Sequence, residues 1–103
     1  MNGLIHKTAG GHSSYEIYDA DQDFIFRFAD VLTTQFGFDL TGNRPVVGLD
    51  VILWDAQKET VRLTIGWDIW SGAFVFAHCS EGEGYIERIA NYFGDSLRHP
   101  AVV

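Results

Sequence analysis

The sequence predicts an α+β fold in two layers, α-β-β-β-α, in which an antiparallel three-stranded meander carries two helices on one face. Three observations predict it. Apolar residues recur with a 3.6-residue period near both ends of the chain. Between residues 46 and 78 they alternate with a period of two. The links between the alternating runs are short, which joins strands as antiparallel neighbours, because a parallel crossover needs about a dozen residues or more. Each helix has one apolar face to bury, and a single sheet face accommodates both. A length of 103 residues with 15% aromatic side chains suits one domain over residues 15–103 with a core of its own.

Residues 1–14 read as a flexible N-terminal arm, since only Leu4 and Ile5 are large and apolar and Gly10-Gly11 and Ser13-Ser14 follow. Tyr15–Tyr18 reads either as a short fourth strand or as an extended lead. Helix one is expected over about 20–36, where Phe24, Phe28, Val31, Leu32 and Phe36 share a face. Asp19 can cap it, Asp21 and Asp23 suit the positive end of its dipole, and Gly37 offers a left-handed stop.

After the loop Thr41-Gly42-Asn43-Arg44-Pro45, the first strand is expected over Val46–Trp54. Leu49, Val51 and Leu53 are assigned to the helices, and Asp50, Ile52 and Trp54 to the other face. A turn at Asp55–Lys58 leads to a return strand with Val61, Leu63, Ile65 and Trp67 inward. The third strand, Ala73–His78, is apolar on both faces. Ser80 and Glu83 have capping-box spacing. The helix they open presents Ile86, Ile89, Ala90, Phe93 and Leu97 on one face. Arg98 and His99 suit its C-terminal end, and Pro100 is the expected stop.

Fourteen acidic and seven basic residues give a net charge of −7. That sign repels phosphate backbones and anionic lipid, which argues against nucleic acid and membrane surfaces and favours a basic protein partner. It also serves solubility. No apolar run approaches the roughly 20 residues of a membrane span. The first residues lack a secretory apolar region, and Cys79 has no second cysteine to pair with, so a cytoplasmic protein is expected.

The chain offers little chemistry. His6, His12, His78 and His99 have no ligand spacing, so neither a metal nor a cofactor is expected. Asp19, Asp21, Asp23 and Asp30 fit a calcium loop in outline, but Phe24 stands where that loop needs glycine. His78 and Cys79 are adjacent, and adjacent strand residues point to opposite faces. With no phosphate-binding glycine loop and no nucleophile elbow, nothing requires an enzyme.

One surface calls for a function. Covering one sheet face leaves the other open, carrying Asp50, Ile52, Trp54, Arg62 and Thr64. One alternate set of the third strand joins them, either Ala73, Val75 and Ala77 or Phe74, Phe76 and His78. Bordering it, the connection Trp67-Asp68-Ile69-Trp70 holds more aromatic surface than a turn needs. Trp67 is in phase with the core, whereas Trp54 and Trp70 suit either an interface or a satellite cluster. The expected partner-binding set is Asp50, Ile52, Trp54, Arg62, Asp68, Ile69 and Trp70, with Asp55, Glu81 and Glu83 adding charge. An alternative is a homodimer of structural or regulatory role that hides Ile52 and Trp54 between two open faces. A third reading is a small-molecule site or enzyme using His78, Cys79 or Asp68.

The run from Thr64 to Phe74, followed by a strand and an acidic helix start, resembles segments of small bacterial immunity proteins, which neutralise toxins of contact-dependent or polymorphic systems. The likeness extends in pattern over about residues 58–95. It implies a non-catalytic, acidic, single-domain antagonist that occludes a basic toxin domain.

Overall fold

The described residues form an α+β fold of one antiparallel seven-stranded sheet and two helices, here seen in a computed structural model. It describes residues 3–8, 11–42 and 44–102, with His6 and residues 95–102 as backbone only. In chain order the elements are β1 (Gly3–Lys7), β2 (Ser13–Ile17), α1 (Phe24–Thr34), β3 (Asp39–Leu40), β4 (Val46–Val47), β5 (Val51–Lys58), β6 (Val61–Asp68), β7 (Gly72–Ala77) and α2 (Ser80–Val102). The strand order is β1-β2-β7-β6-β5-β3, and β4 also pairs with β5.

The sheet is wider than the three-stranded meander expected from sequence. β5, β6 and β7 form that meander, but β2 extends it through Tyr15 opposite Val75 and Ile17 opposite Ala73. β1 then pairs with β2, so residues assigned to a flexible arm form a hairpin. The Thr8 amide donates to the His12 carbonyl at 2.8 Å and helps close it. The free edge of β7 explains why these residues become strands. Its amides and carbonyls need partners, and β2 supplies them while burying Tyr15 and Ile17. The Gly- and Ser-rich composition hides this from any local window.

The phase of β5 also differs from the expectation. Ile52 lies opposite Trp67, Trp54 opposite Ile65, and Ala56 opposite Leu63, which gives all of them the helix-facing side. Trp54 is only 8% exposed, whereas Leu53 is 38% exposed and Leu49 is fully exposed. Leu49 sits in the β4–β5 turn, where the Gly48 amide donates to the Val51 carbonyl at 2.8 Å. The expected assignment of Leu49, Val51 and Leu53 to the core is therefore reversed. A one-residue change of phase moves every side chain of a strand to the other face. What selects the observed phase is burial of the indole. Trp54 meets Phe26 of α1 edge-on at 6.2 Å, and its Nε1–H donates to the Thr41 carbonyl at 2.9 Å. β5 runs on through Lys58, so the turn falls at Glu59-Thr60, with Glu59 at φ 54°, rather than at Asp55–Lys58.

α1 buries Phe24, Ile25, Phe28, Val31 and Leu32. It begins four residues later than expected because residues 21–23 form a turn. There the Asp21 carboxylate accepts the Asp23 amide at 3.1 Å, and Asp19 is not the cap. After the helix, Gly37 adopts φ 75° and the Phe38 amide returns to the Leu32 carbonyl at 2.9 Å, which closes the helix end. α2 buries Ile86, Ile89 and Phe93. The Phe93 ring meets Phe28 at 5.0 Å and Phe24 at 5.4 Å, while Tyr15 of β2 meets Phe28 at 6.3 Å. These rings knit both helices to one sheet face, each contributing roughly 1.5–3 kcal/mol by burial.

Two expectations at α2 are corrected. The Glu83 carboxylate does not complete a capping box with Ser80. It accepts instead from Lys7 Nζ and from Ser13 Oγ, tying the helix start to β1 and β2. The helix also continues past Pro100 to Val102. The expected roles of Leu97, Arg98 and His99 lie outside the described side chains, and Gly10 and Asn43 outside the described residues.

Candidate functional site

Because Val51 pairs with Asp68, the β4–β5 turn and the β6–β7 turn lie at the same end of the sheet. That end holds Asp50, Asp68, Ile69 and Trp70 of the expected partner-binding set. Trp70 is 73% exposed, and Ile69, Leu49 and Asp50 are exposed beside it in sequence or on the neighbouring turn. Trp70 is thus surface, not satellite core. Asp68 shapes the turn locally, since its Oδ1 accepts the amides of Trp70, at 2.9 Å, and Ser71, at 2.5 Å. Gly72, at φ 71°, completes the turn, and a side chain there would strike the backbone carbonyls of Ile17 and Tyr18.

The remaining expected residues do not join this group. Trp54 is buried and Ile52 half-buried on the helix-facing side, so neither belongs to the open face. This correction also removes both anchors proposed for an open-face homodimer. Arg62 does lie on the open face, but at the far end of β6, about 20 Å along the strand from Asp68 at roughly 3.3 Å per residue. Trp67 is half-buried against the core and donates its Nε1–H to the Ala20 carbonyl at 3.0 Å.

A polar constellation on the open face was not anticipated from the sequence. Thr64 Oγ1 lies 2.7 Å from Asp55 Oδ1 and 2.6 Å from His78 Nε2. Arg62 Nη2 donates to Asp55 Oδ2 at 3.1 Å. Thr64 has one proton, and the arrangement is satisfied when His78 Nε2–H donates to Thr64 and Thr64 donates to Asp55. Burial lowers the His78 pKa, and the Arg62 cation and His12 lower it further while Asp55 opposes them. A triad of the hydrolase kind places imidazole between hydroxyl and carboxylate. Here the hydroxyl is in the middle and is buried, which suits positioning rather than nucleophilic attack. Asp55 and Thr64 are cross-strand partners, so the hairpin register was the signal. Placing the turn at Asp55–Lys58 concealed it.

Across this face the registers align Leu4, Glu16, Phe74, Gly66, Leu53 and Val46 in one row. Gly66 is required there, since an added Cβ would stand 2.6 Å from both the Ile52 carbonyl oxygen and the Phe74 ring. At the β4 side of the row, a cleft of about 250 Å³ is lined by Thr41, Val46, Leu53, Trp54 and Asp55.

Cys79 is a half-buried free thiol. Among the described residues, no group of three His, Cys, Asp or Glu side chains is placed to hold a metal ion. Among them, too, no helix is long and apolar enough to cross a membrane. No protein-family model, curated protein or solved structure matches the chain.

Proposed function

We propose that the protein is a non-catalytic, acidic protein-binding module acting in the cytoplasm, an immunity-type antagonist that masks a basic toxin domain. The exposure of Trp70 carries this reading. An indole 73% exposed on a turn held by Asp68 is pre-organised, so little conformational entropy is lost when a partner covers it. Tryptophan is also enriched among interface hot spots. Asp50 on the neighbouring turn and the net charge of −7 favour a cationic target and speed the encounter with it. The resemblance of residues 58–95 to immunity proteins supports the same class of partner.

Native mass spectrometry of the tagged protein, purified gently from its own host, tests the reading. The expected result is a one-to-one complex with a basic protein that Trp70→Ala dissociates. A lone monomer, a homodimer, or a complex indifferent to Trp70→Ala overturns it.

A further inference from the structure

We infer that the cleft between β4 and β5 binds an alkyl cation, the end of an arginine or lysine side chain projecting from a basic protein. The protein source rests on the proposed function; the cation chemistry rests on the cleft alone. At about 250 Å³ it has room for one long side chain and falls short of the roughly 300–1,000 Å³ of drug-sized sites. Its walls include the apolar Val46 and Leu53, both solvent-exposed, against which a methylene stem can lie. Asp55 supplies the charge. An ionised carboxylate has about four acceptor sites, and Thr64 and Arg62 each take one, so acceptor sites are left for another donor.

The Asp55–Arg62 pair itself indicates what Asp55 accepts: a guanidinium, at 3.1 Å. The Arg62 side chain is 52% exposed, and exposed ion pairs are weak. An incoming guanidinium or ammonium exchanges for Arg62 at small cost and lays its stem against Val46 and Leu53. Arg62 is therefore a competitor for the site, which fixes the sign of its mutation. Anions are disfavoured by Asp55 and by the net charge of −7. Val46 and Val47 lead directly into the turn bearing Leu49 and Asp50, so one partner surface can reach both the cleft and the Trp70 end.

The test is a titration of the full chain, followed by amide and indole NMR signals, with doubly blocked arginine and doubly blocked norvaline as probes. The Trp54 indole N–H, bonded to Thr41 at the cleft, is the reporter. The expected result is saturable shifts at Trp54, Val46 and Leu53 with blocked arginine, and binding at least about tenfold weaker for blocked norvaline, a difference of about 1.4 kcal/mol. Asp55→Asn should weaken binding about tenfold or more, and Arg62→Ala should strengthen it several-fold. Val46→Trp, at an exposed edge position, fills the cleft from its solvent side and should abolish binding. Absence of saturation by about 10 mM, equal binding of norvaline, or no gain with Arg62→Ala overturns the inference. Agmatine binding about tenfold tighter than blocked arginine would assign the cleft to a free small cation instead. Blocked-arginine binding without any basic partner from the host would leave the cleft standing and discard the antagonist. A host complex that survives Val46→Trp, without arginine binding, would do the reverse.

Discussion

The carboxylate of Asp68 accepts the backbone amide of Trp70 at 2.9 Å, and that bond holds the most exposed indole of the protein on a closed turn. The same oxygen accepts the Ser71 amide. Asp68→Ala removes both bonds, and the expected loss of stability is about 1–2 kcal/mol, at roughly 0.5–1.5 kcal/mol for each bond. Urea denaturation measures it. Asp68→Asn, which keeps an acceptor oxygen, should recover most of the loss; a variant no better than alanine would show that charge, not the turn bonds, matters.

The two tryptophans outside the β6 series should behave oppositely. Trp70→Ala is expected to leave stability within about 0.5 kcal/mol of wild type, as exposed substitutions do. It should weaken partner binding by about 2 kcal/mol or more, as hot spots do. Trp54→Ala should cost about 3–5 kcal/mol of stability, since it empties a buried site and leaves the Thr41 carbonyl without its donor. Denaturation of the two variants side by side separates them, and equal losses would contradict the assigned burial.

Thr64→Val keeps the shape of the side chain and removes the hydroxyl that joins Asp55 to His78. The expected cost is about 1 kcal/mol, because the buried Thr64 hydroxyl gives up two hydrogen bonds whose other partners, Asp55 and His78, keep access to water. The His78 ring signals should move at the same time. A variant as stable as wild type with an unchanged His78 titration would show that the three side chains are not coupled.

Glu83 should contribute an acid-dependent part of the stability. Hydrogen bonds from Lys7, then Ser13, lower its pKa below the ordinary 4.5. A carboxylate lowered in the native state stabilises fully above its unfolded value, and that contribution fades as pH falls from about 4.5 toward the native value. Glu83→Gln should therefore lose stability at pH 7 and show a smaller further fall on acidification. Melting temperatures at pH 7 and pH 3 read the difference, and parallel acid losses in both proteins would refute the linkage.

His78 follows the same direction of linkage for a different reason. Its pKa is lowered in the native state from 6.5, by burial first and by Arg62 next, so its neutral form stabilises above 6.5 and that contribution declines as pH falls below it. Arg62→Ala removes a neighbouring cation and leaves Asp55 without its ion-pair partner. Both changes should raise the His78 pKa, which an NMR titration of the ring protons measures. A fall in pKa would contradict the geometry.

Much of the helical layer was legible in the sequence because helical periodicity is local. Phe24, Phe28, Val31 and Leu32 in α1, and Ile86, Ile89 and Phe93 in α2, are the buried positions that spacing picks out. The inward series Val61, Leu63 and Ile65 was legible for the same reason. β5 was not, because Leu49-Val51-Leu53 and Ile52-Trp54-Ala56 both satisfy a period of two and no neighbour in sequence chooses between them. The choice is made by Phe26 and Thr41, which are distant in the chain.

By itself the sequence determined the α+β class, the two amphipathic helices, the net charge of −7 and the aromatic turn around Trp70. Tertiary structure alone decided that Gly3–Lys7 and Ser13–Ile17 are strands, that Trp54 faces the helices, and that Asp55, Thr64 and His78 converge. The physical reason is range. Helix faces and charge are sums over neighbours along the chain, whereas strand pairing and cross-strand contacts gain their free energy only between residues that the closed sheet brings together.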